Sequence, residues 1–213
     1  MQDTLITFVR HGKNKMGVDT TPWHAGPGLN PEGRRQSDKT GRYLKHFAFD
    51  LVLSSDMNRA AECAKIICRY QKKITPDKIV FARQLAEHDE IVYGYTHKTK
   101  ITPGGEWAKA RATVKFFRAI LKKYQGKKIL IITHGNVIRA CLGAALGYPL
   151  HYSPEINSFN CSLTTIALRG LRLRAIFHVN HTDQLGEFPF LERLQSVQFI
   201  SDYSKLLADG AVR

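Results

Sequence analysis

Two histidines in this 213-residue chain stand in the same local setting. Leu5-Ile6-Thr7-Phe8-Val9 runs into Arg10-His11-Gly12, and Ile129-Leu130-Ile131-Ile132-Thr133 runs into His134-Gly135. A neutral imidazole is a nucleophile and a proton carrier near physiological pH. A glycine directly after each histidine lets a ligand approach the backbone. A third segment, Leu51-Val52-Leu53, leads into Ser54-Ser55-Asp56-Met57-Asn58-Arg59-Ala60. Arg59 falls in the first turn of an expected helix, where a cation is disfavoured by ~0.3–1 kcal/mol. That placement makes sense if the side chain reaches an anion. Planar guanidinium groups on Arg10 and Arg59 suit bidentate contact with phosphate. The helix expected after His134 presents free N–H groups in the same direction. Together these groups describe a pocket for a dianionic phosphoryl group.

Such a pocket needs elements that bring distant residues together. Short β-branched runs predict strands over residues 5–9, 51–53, 78–81, 129–133, 163–168 and 174–179, the 78–81 run being the weakest. Four helices fit between them. The first follows Asn30 as N-cap and Pro31 at the first helical position, and runs to about Phe47. The second follows the capping candidates Ser55 and Asp56 and runs to about Tyr70. The third spans about 106–124, with Trp107, Ala110, Val114, Phe117 and Leu121 on one face and Lys109, Lys115, Arg118 and Lys122 on the other. The fourth begins after His134-Gly135 and stops near Gly147-Tyr148-Pro149. Alternating strands and helices predict an α/β fold in three layers, a mostly parallel sheet with helices on both faces. The last two strands are joined only by Arg169-Gly170-Leu171-Arg172, which predicts an antiparallel hairpin at a sheet edge. One domain over 1–213 is expected, its core about 5–180. Residues 183–213 form a tail with a possible strand over 197–200 and a short helix. In a parallel sheet the strand C-termini share one edge, where ligands bind, so His11 and His134 can converge there.

At this point the chain resembles the histidine phosphatase superfamily, in its phosphoglycerate-mutase-like branch. The matching stretches are Phe8-Val9-Arg10-His11-Gly12, Leu29-Asn30-Pro31-Glu32-Gly33-Arg34-Arg35-Gln36, Leu53-Ser54-Ser55-Asp56-Met57-Asn58-Arg59-Ala60 and Ile132-Thr133-His134-Gly135-Asn136-Val137-Ile138-Arg139. They occur in the family's order across roughly residues 5–180. The resemblance implies a phosphoglycerate-mutase-like fold and a phosphomonoesterase that works through a phosphohistidine on His11. It implies phosphate binding by Arg10, Arg59 and His134, with Asn14 and Asn136 as further candidates, and it implies neither metal nor other cofactor. A carboxyl group would protonate the leaving oxygen and then deprotonate water. The family's Leu-x-Glu stretch corresponds to Leu85-Ala86-Glu87, with Asp89 and Glu90 nearby as alternatives. Nearby arginines would disfavour the imidazolium form of His11 and keep it nucleophilic.

Departures from the family pattern narrow the function. Lys13 and Asn14 stand where many members carry Glu or Gln and then a small residue. Lys13 either adds charge at the site entrance or points to solvent. Residues 15–28 lack the pattern of the glycolytic mutases, and the chain lacks room for their larger insertion, which favours hydrolysis. Residues 95–105 are expected to form a substrate-selecting lid. A phosphoglycerate or phosphosugar mutase is the alternative enzyme. A catalytically weak phospho-ligand or protein-binding module is the alternative outside catalysis.

Charge and composition set the wider bounds. The chain holds 32 Lys and Arg against 18 Asp and Glu, a formal net charge of +14. Residues 107–182 concentrate this excess, with 12 basic side chains and one acid, Glu155. Such a field favours anionic partners. A phosphorylated small molecule or phosphoprotein is the expected substrate; nucleic acid is disfavoured, since no recognised binding motif occurs. Cys63, Cys68, Cys141 and Cys161 form no C-x-x-C pair or zinc-site spacing and read as buried thiols in a reducing compartment. The sequence contains neither a membrane-spanning run nor a signal-peptide pattern, so a cytoplasmic location is expected. Oligomeric state has no sequence signal.

Overall fold

The computed structural model describes residues 2–15, 26–88, 105–148, 156 and 158–186. Asp89, Glu90, residues 95–104 of the expected lid and the expected strand over 197–200 lie outside the described residues, and Gly105, the last residue of that lid, instead begins a helix. The described chain builds six strands and four helices: β1 (Thr4–Arg10), α1 (Pro31–Leu44), β2 (Leu51–Ser54), α2 (Asn58–Cys68), β3 (Val80–Phe81), α3 (Gly105–Lys123), β4 (Lys128–Thr133), α4 (Gly135–Ala145), β5 (Leu163–Arg169) and β6 (Arg172–His181). The sheet order is β3-β2-β4-β1-β5-β6. The first four strands in that order are parallel, and β5 and β6 run antiparallel as the edge hairpin.

Alternation along the strands divides the core into two faces. Val9, Val52, Leu130, Ile132 and Leu163 pack with Leu44 of α1 and Ala60, Cys63, Ala64 and Ile67 of α2. Ile6, Phe8, Leu53, Ile129, Ile131 and Ile166 pack with Phe117 and Leu121 of α3 and Val137, Ile138 and Leu142 of α4. The three expected layers are therefore present. Each fully buried Leu, Ile or Phe contributes roughly 1.5–3 kcal/mol, and the strands supply seven such side chains to the second face, Leu168 of β5 included. On α3, Lys109, Arg111, Lys115, Arg118, Lys122 and Lys123 are exposed, so this part of the basic excess is a solvated helix face.

Several local expectations are corrected. β3 is only Val80–Phe81, because Pro76–Lys78 winds into a 3₁₀ turn before it. Helix α1 stops at Leu44 and α2 at Cys68, each short of the periodic pattern. Helix α2 is capped by Met57 with no side-chain cap bond, and Ser55 instead accepts the Met57 N–H at 3.2 Å. Helix α1 keeps its expected cap, with Asn30 Oδ1 accepting from the Gly33 N–H at 2.8 Å. Among the described residues no helix is long and apolar enough to cross a membrane.

The start of α1 locks onto the loop after β1. A Cβ added at Gly33 would lie 2.0 Å from the Lys13 carbonyl oxygen, and one at Gly12 would lie 2.4 Å from that of Gly33. Lys13 N–H donates to Gln36 Oε1 at 3.0 Å, and Asn30 N–H donates to Lys13 O at 3.0 Å. Gly33→Ala would push rigid backbone against backbone, and overpacking of this kind costs ~1–3 kcal/mol. The expected outcome is a lower unfolding midpoint in urea at an unchanged slope.

Candidate active site

Register decides which side chains meet. Arg10 at the end of β1 lies opposite Thr133 at the end of β4 in a parallel pair, so His11 and His134 leave the sheet side by side. The His11 N–H donates to Thr133 O at 2.9 Å, and the two imidazole rings stand 5.0 Å apart, tilted 61°. The chain leaves β1 toward α1 on one face and β4 toward α4 on the other, which opens a crevice at this edge. β2 ends beside them, with the Ser55 N–H donating to Ile132 O at 3.0 Å.

His11 is 3% exposed and held in one tautomer. Its Nδ1 lies 2.7 Å from the Gly12 carbonyl, which can only accept, so Nδ1 carries the proton. Nε2 therefore has a lone pair, and Arg59 Nε donates to it at 3.1 Å. Burial, then the Arg59 charge, then that of Arg10 hold the His11 pKa down at about 3, against the opposing Gly12 hydrogen bond. The ring is neutral at every physiological pH.

His134 is fully buried at the N-cap of α4. Burial, followed by the neighbouring His11 and the charges of Arg59 and Arg10, lowers its pKa well below the usual histidine value. It therefore carries a single proton. Its Nε2 lies 2.9 Å from Ser55 Oγ. Ser55 Oγ already accepts from the Met57 N–H, which leaves the hydroxyl proton available for Nε2. In that arrangement Nδ1 carries the histidine proton. Nδ1 is buried without a hydrogen-bond partner among the described residues and lies 3.9 Å from Glu87 Oε2. This N–H can serve an anionic oxygen; the opposite tautomer would present a lone pair.

Glu87 arrives on the turn after Arg83–Leu85. Thr133 Oγ1 donates to Leu85 O at 2.7 Å, and Asn136 Nδ2 donates to His88 O at 2.9 Å, so both flanks of Glu87 are tied to the β4–α4 junction. Burial raises the Glu87 pKa to about 7, although Arg59 and Arg10 oppose the shift. At neutral pH this carboxyl can both give and take a proton, as an acid–base catalyst requires.

Arg10 packs against the start of α4, its guanidinium carbon 3.9 Å from where a Gly135 Cβ would lie, and its Nη1 donates to the Ser158 carbonyl. The structure thus brings together Arg10, His11, Arg59, Glu87 and His134. It places the other expected residues differently. The Asn14 amide donates to Lys15 O at 3.2 Å, and Asn136 supports the Glu87 turn. Lys13 Nζ forms an ion pair with Glu32 at 2.7 Å, which answers much of its charge. Sequence reasoning missed Ser55 as the partner of His134, reading it as a helix cap. It also missed Asn160, whose amide donates to His11 O at 2.9 Å, and Cys161, whose N–H donates to Arg10 O at 2.9 Å from a left-handed backbone at φ +56°. No spacing in the sequence points to these two, since they reach the site only through the return of the chain into β5. Among the described residues no cluster of three or more His, Cys, Asp or Glu could hold a metal ion.

Comparison with known proteins bears on the family and the fold. A phosphatase of Bacillus subtilis, PhoE, is 28% identical over 169 residues, spanning 73% of this chain and 82% of its own. A broad-specificity phosphatase of Saccharomyces cerevisiae is 25% identical over 210 residues, spanning 87% of this chain and 89% of its own. Among solved structures, Bacillus stearothermophilus YhfR superposes with a TM-score of 0.66 at 23% identity, covering 85% of this chain and 99% of that one. The family model for the histidine phosphatase superfamily (branch 1) matches residues 6–94 and 81–180, and the chain belongs to that superfamily.

Proposed function

We propose that this phosphatase hydrolyses phosphate monoesters through a covalent phosphohistidine on Nε2 of His11. The observation that carries this reading is a buried, neutral His11 whose Nε2 lone pair faces Arg59, next to a carboxyl raised to about 7. In the first step the Nε2 lone pair attacks phosphorus. Arg59 transfers its N–H from Nε2 to a phosphoryl oxygen, and Arg10, His134 Nδ1–H and the α4 N-terminus stabilise the remaining equatorial charge. The P–O ester bond breaks, its electron pair stays on oxygen, and protonated Glu87 supplies the proton. In the second step Glu87 carboxylate takes a proton from water, water oxygen attacks phosphorus, and the P–N bond returns its pair to Nε2. Covalent catalysis of this kind divides one difficult transfer into two easier ones.

The substrate class is a phosphorylated small molecule or phosphoprotein. The cationic pocket supports this, as does similarity to a broad-specificity yeast phosphatase. Four free cysteines, all buried, fit a cytosolic, reducing location.

With p-nitrophenyl phosphate, His11→Ala is expected to lower kcat by roughly three orders of magnitude with an unchanged melting temperature. Undiminished turnover would overturn the nucleophile assignment. Glu87 must be protonated to donate, so kcat/KM for an alkyl phosphate falls tenfold per pH unit above about 7. Below about 3, His11 protonates and activity is lost on that side as well. Glu87→Gln flattens the alkaline limb. It costs an alkyl phosphate about 10²–10⁴-fold, and p-nitrophenyl phosphate far less, because that leaving group departs without a proton. Ser55→Ala frees the His134 tautomer and is expected to lower kcat about tenfold while KM changes little.

A further inference from the structure

A second charged feature lies away from the phosphoryl pocket. Helices α1 and α2 pack side by side and leave between them an open groove of about 560 Å³, lined by Arg34, Arg35, Asp38, Lys39, Glu62, Lys65, Ile66 and Arg69. All five basic side chains are exposed. Both acids are already engaged. Glu62 Oε1 accepts from Arg34 Nε at 2.6 Å, and its Oε2 accepts from the Leu29 N–H at 2.9 Å. Asp38 accepts from the Tyr70 hydroxyl and from Arg42 Nε at 2.8 Å, and these bonds, joined by the nearby Arg42 and Arg69 charges, hold its pKa below the usual value. Lys39 donates to Leu185 O at 2.6 Å. Arg35, Lys65 and Arg69 make no ion pair among the described residues. The catalytic reading makes no use of these three cations: Lys65 on α2 and Arg69 at its C-cap lie six and ten residues beyond Arg59, roughly 9 and 15 Å along the helix axis.

Their spacing indicates what they fit. Arg35 and Lys39 are one turn apart on α1, and Lys65 lies one turn before Arg69, the C-cap of α2. Cations so repeated along an open groove match a ligand with several separated negative charges. One small anion would meet only one pair. An extended peptide presents side chains on one face every ~6.8 Å, close to the ~5.4 Å helical turn. The carboxylates of Asp38 and Glu62, though engaged, interrupt the positive field between the cations, which suits separated acidic side chains better than a continuous phosphate backbone. Among the described lining residues there is no aromatic ring for base stacking, Tyr70 reaching the groove only through its hydroxyl on Asp38.

We propose that the α1/α2 groove is a docking site for an acidic peptide segment of a protein partner. The chain's own residues 187–213 carry four acids and three bases, too nearly balanced to neutralise it. The site is independent of the catalytic reading, and its test measures binding alone.

The probe is a fluorescein-labelled ten-residue oligoglutamate, titrated with the full chain by fluorescence anisotropy at low ionic strength. The expected result is saturable binding that weakens with salt. The groove variant Arg35→Glu/Lys65→Glu/Arg69→Glu is expected to weaken it at least about tenfold, and the α3 variant Lys115→Glu/Arg118→Glu/Lys122→Glu by less than about twofold. Circular dichroism confirms that both variants melt like the wild type. Equal losses in both variants would show only the general positive field and would overturn the proposal, as would no loss in the groove variant. Tighter groove-dependent binding of a labelled ten-nucleotide single strand would overturn the peptide assignment. A tenfold gain in peptide binding on replacing Glu187, Glu192, Asp202 and Asp209 by their amides would assign the groove to the chain's own tail instead.

Discussion

The parallel pairing of β1 with β4 places Arg10 opposite Thr133, and almost every feature of the site follows from that register. It delivers His11 and His134 to one edge with their rings 5.0 Å apart. A slip of one residue would exchange the two packed faces of β1 and turn Thr7 toward α3 and α4 in place of Phe8 and Ile6. The register is therefore held by the two-faced core, because Ile6 and Phe8 have a partner layer on one side and Val9 on the other. Packing energy distributed over the whole sheet fixes the relative position of the two imidazoles at this edge.

Electrostatics then sets the chemistry. Arg10 and Arg59 surround two histidines that burial has already driven to the neutral form. The same burial acts on Glu87 in the opposite sense and raises it to about 7, outweighing the pull of both arginines. One desolvated crevice thus leaves an imidazole unprotonated and a carboxyl partly protonated at the same pH. Local hydrogen bonds refine this. Gly12 O selects the His11 tautomer that exposes Nε2, and Ser55 supports the His134 tautomer that presents Nδ1–H.

The basic excess separates into parts with different surroundings. On α3 it is an exposed helix face, while Arg10 and Arg59 lie in the crevice. Lys13 is answered by Glu32. The α1/α2 groove belongs to neither group, since its acids are used internally and three of its cations make no ion pair among the described residues. Net charge alone does not distinguish these settings, because the energy of a charge depends on its burial and neighbours.

Much of this was readable in the residues themselves. Strand periodicity, the Asn30-Pro31 helix start and the repeated strand-His-Gly pattern encode local conformation, so the layers, the edge hairpin and the meeting of His11, His134 and Arg59 could be anticipated. Short elements were harder. β3 shrank because a proline-started 3₁₀ turn took half its run, and Ser55 left its expected capping role for His134. The sequence by itself determined which chemical groups are available and on which kind of element each is carried. Only the tertiary structure decided their protonation and pairing. It placed Glu87 3.9 Å from His134, turned Asn136 to the Glu87 turn and brought Asn160 and Cys161 behind His11. The reason is physical: conformational preference acts over a few neighbouring residues, whereas desolvation and hydrogen bonding depend on atoms that the chain brings together from a hundred residues away.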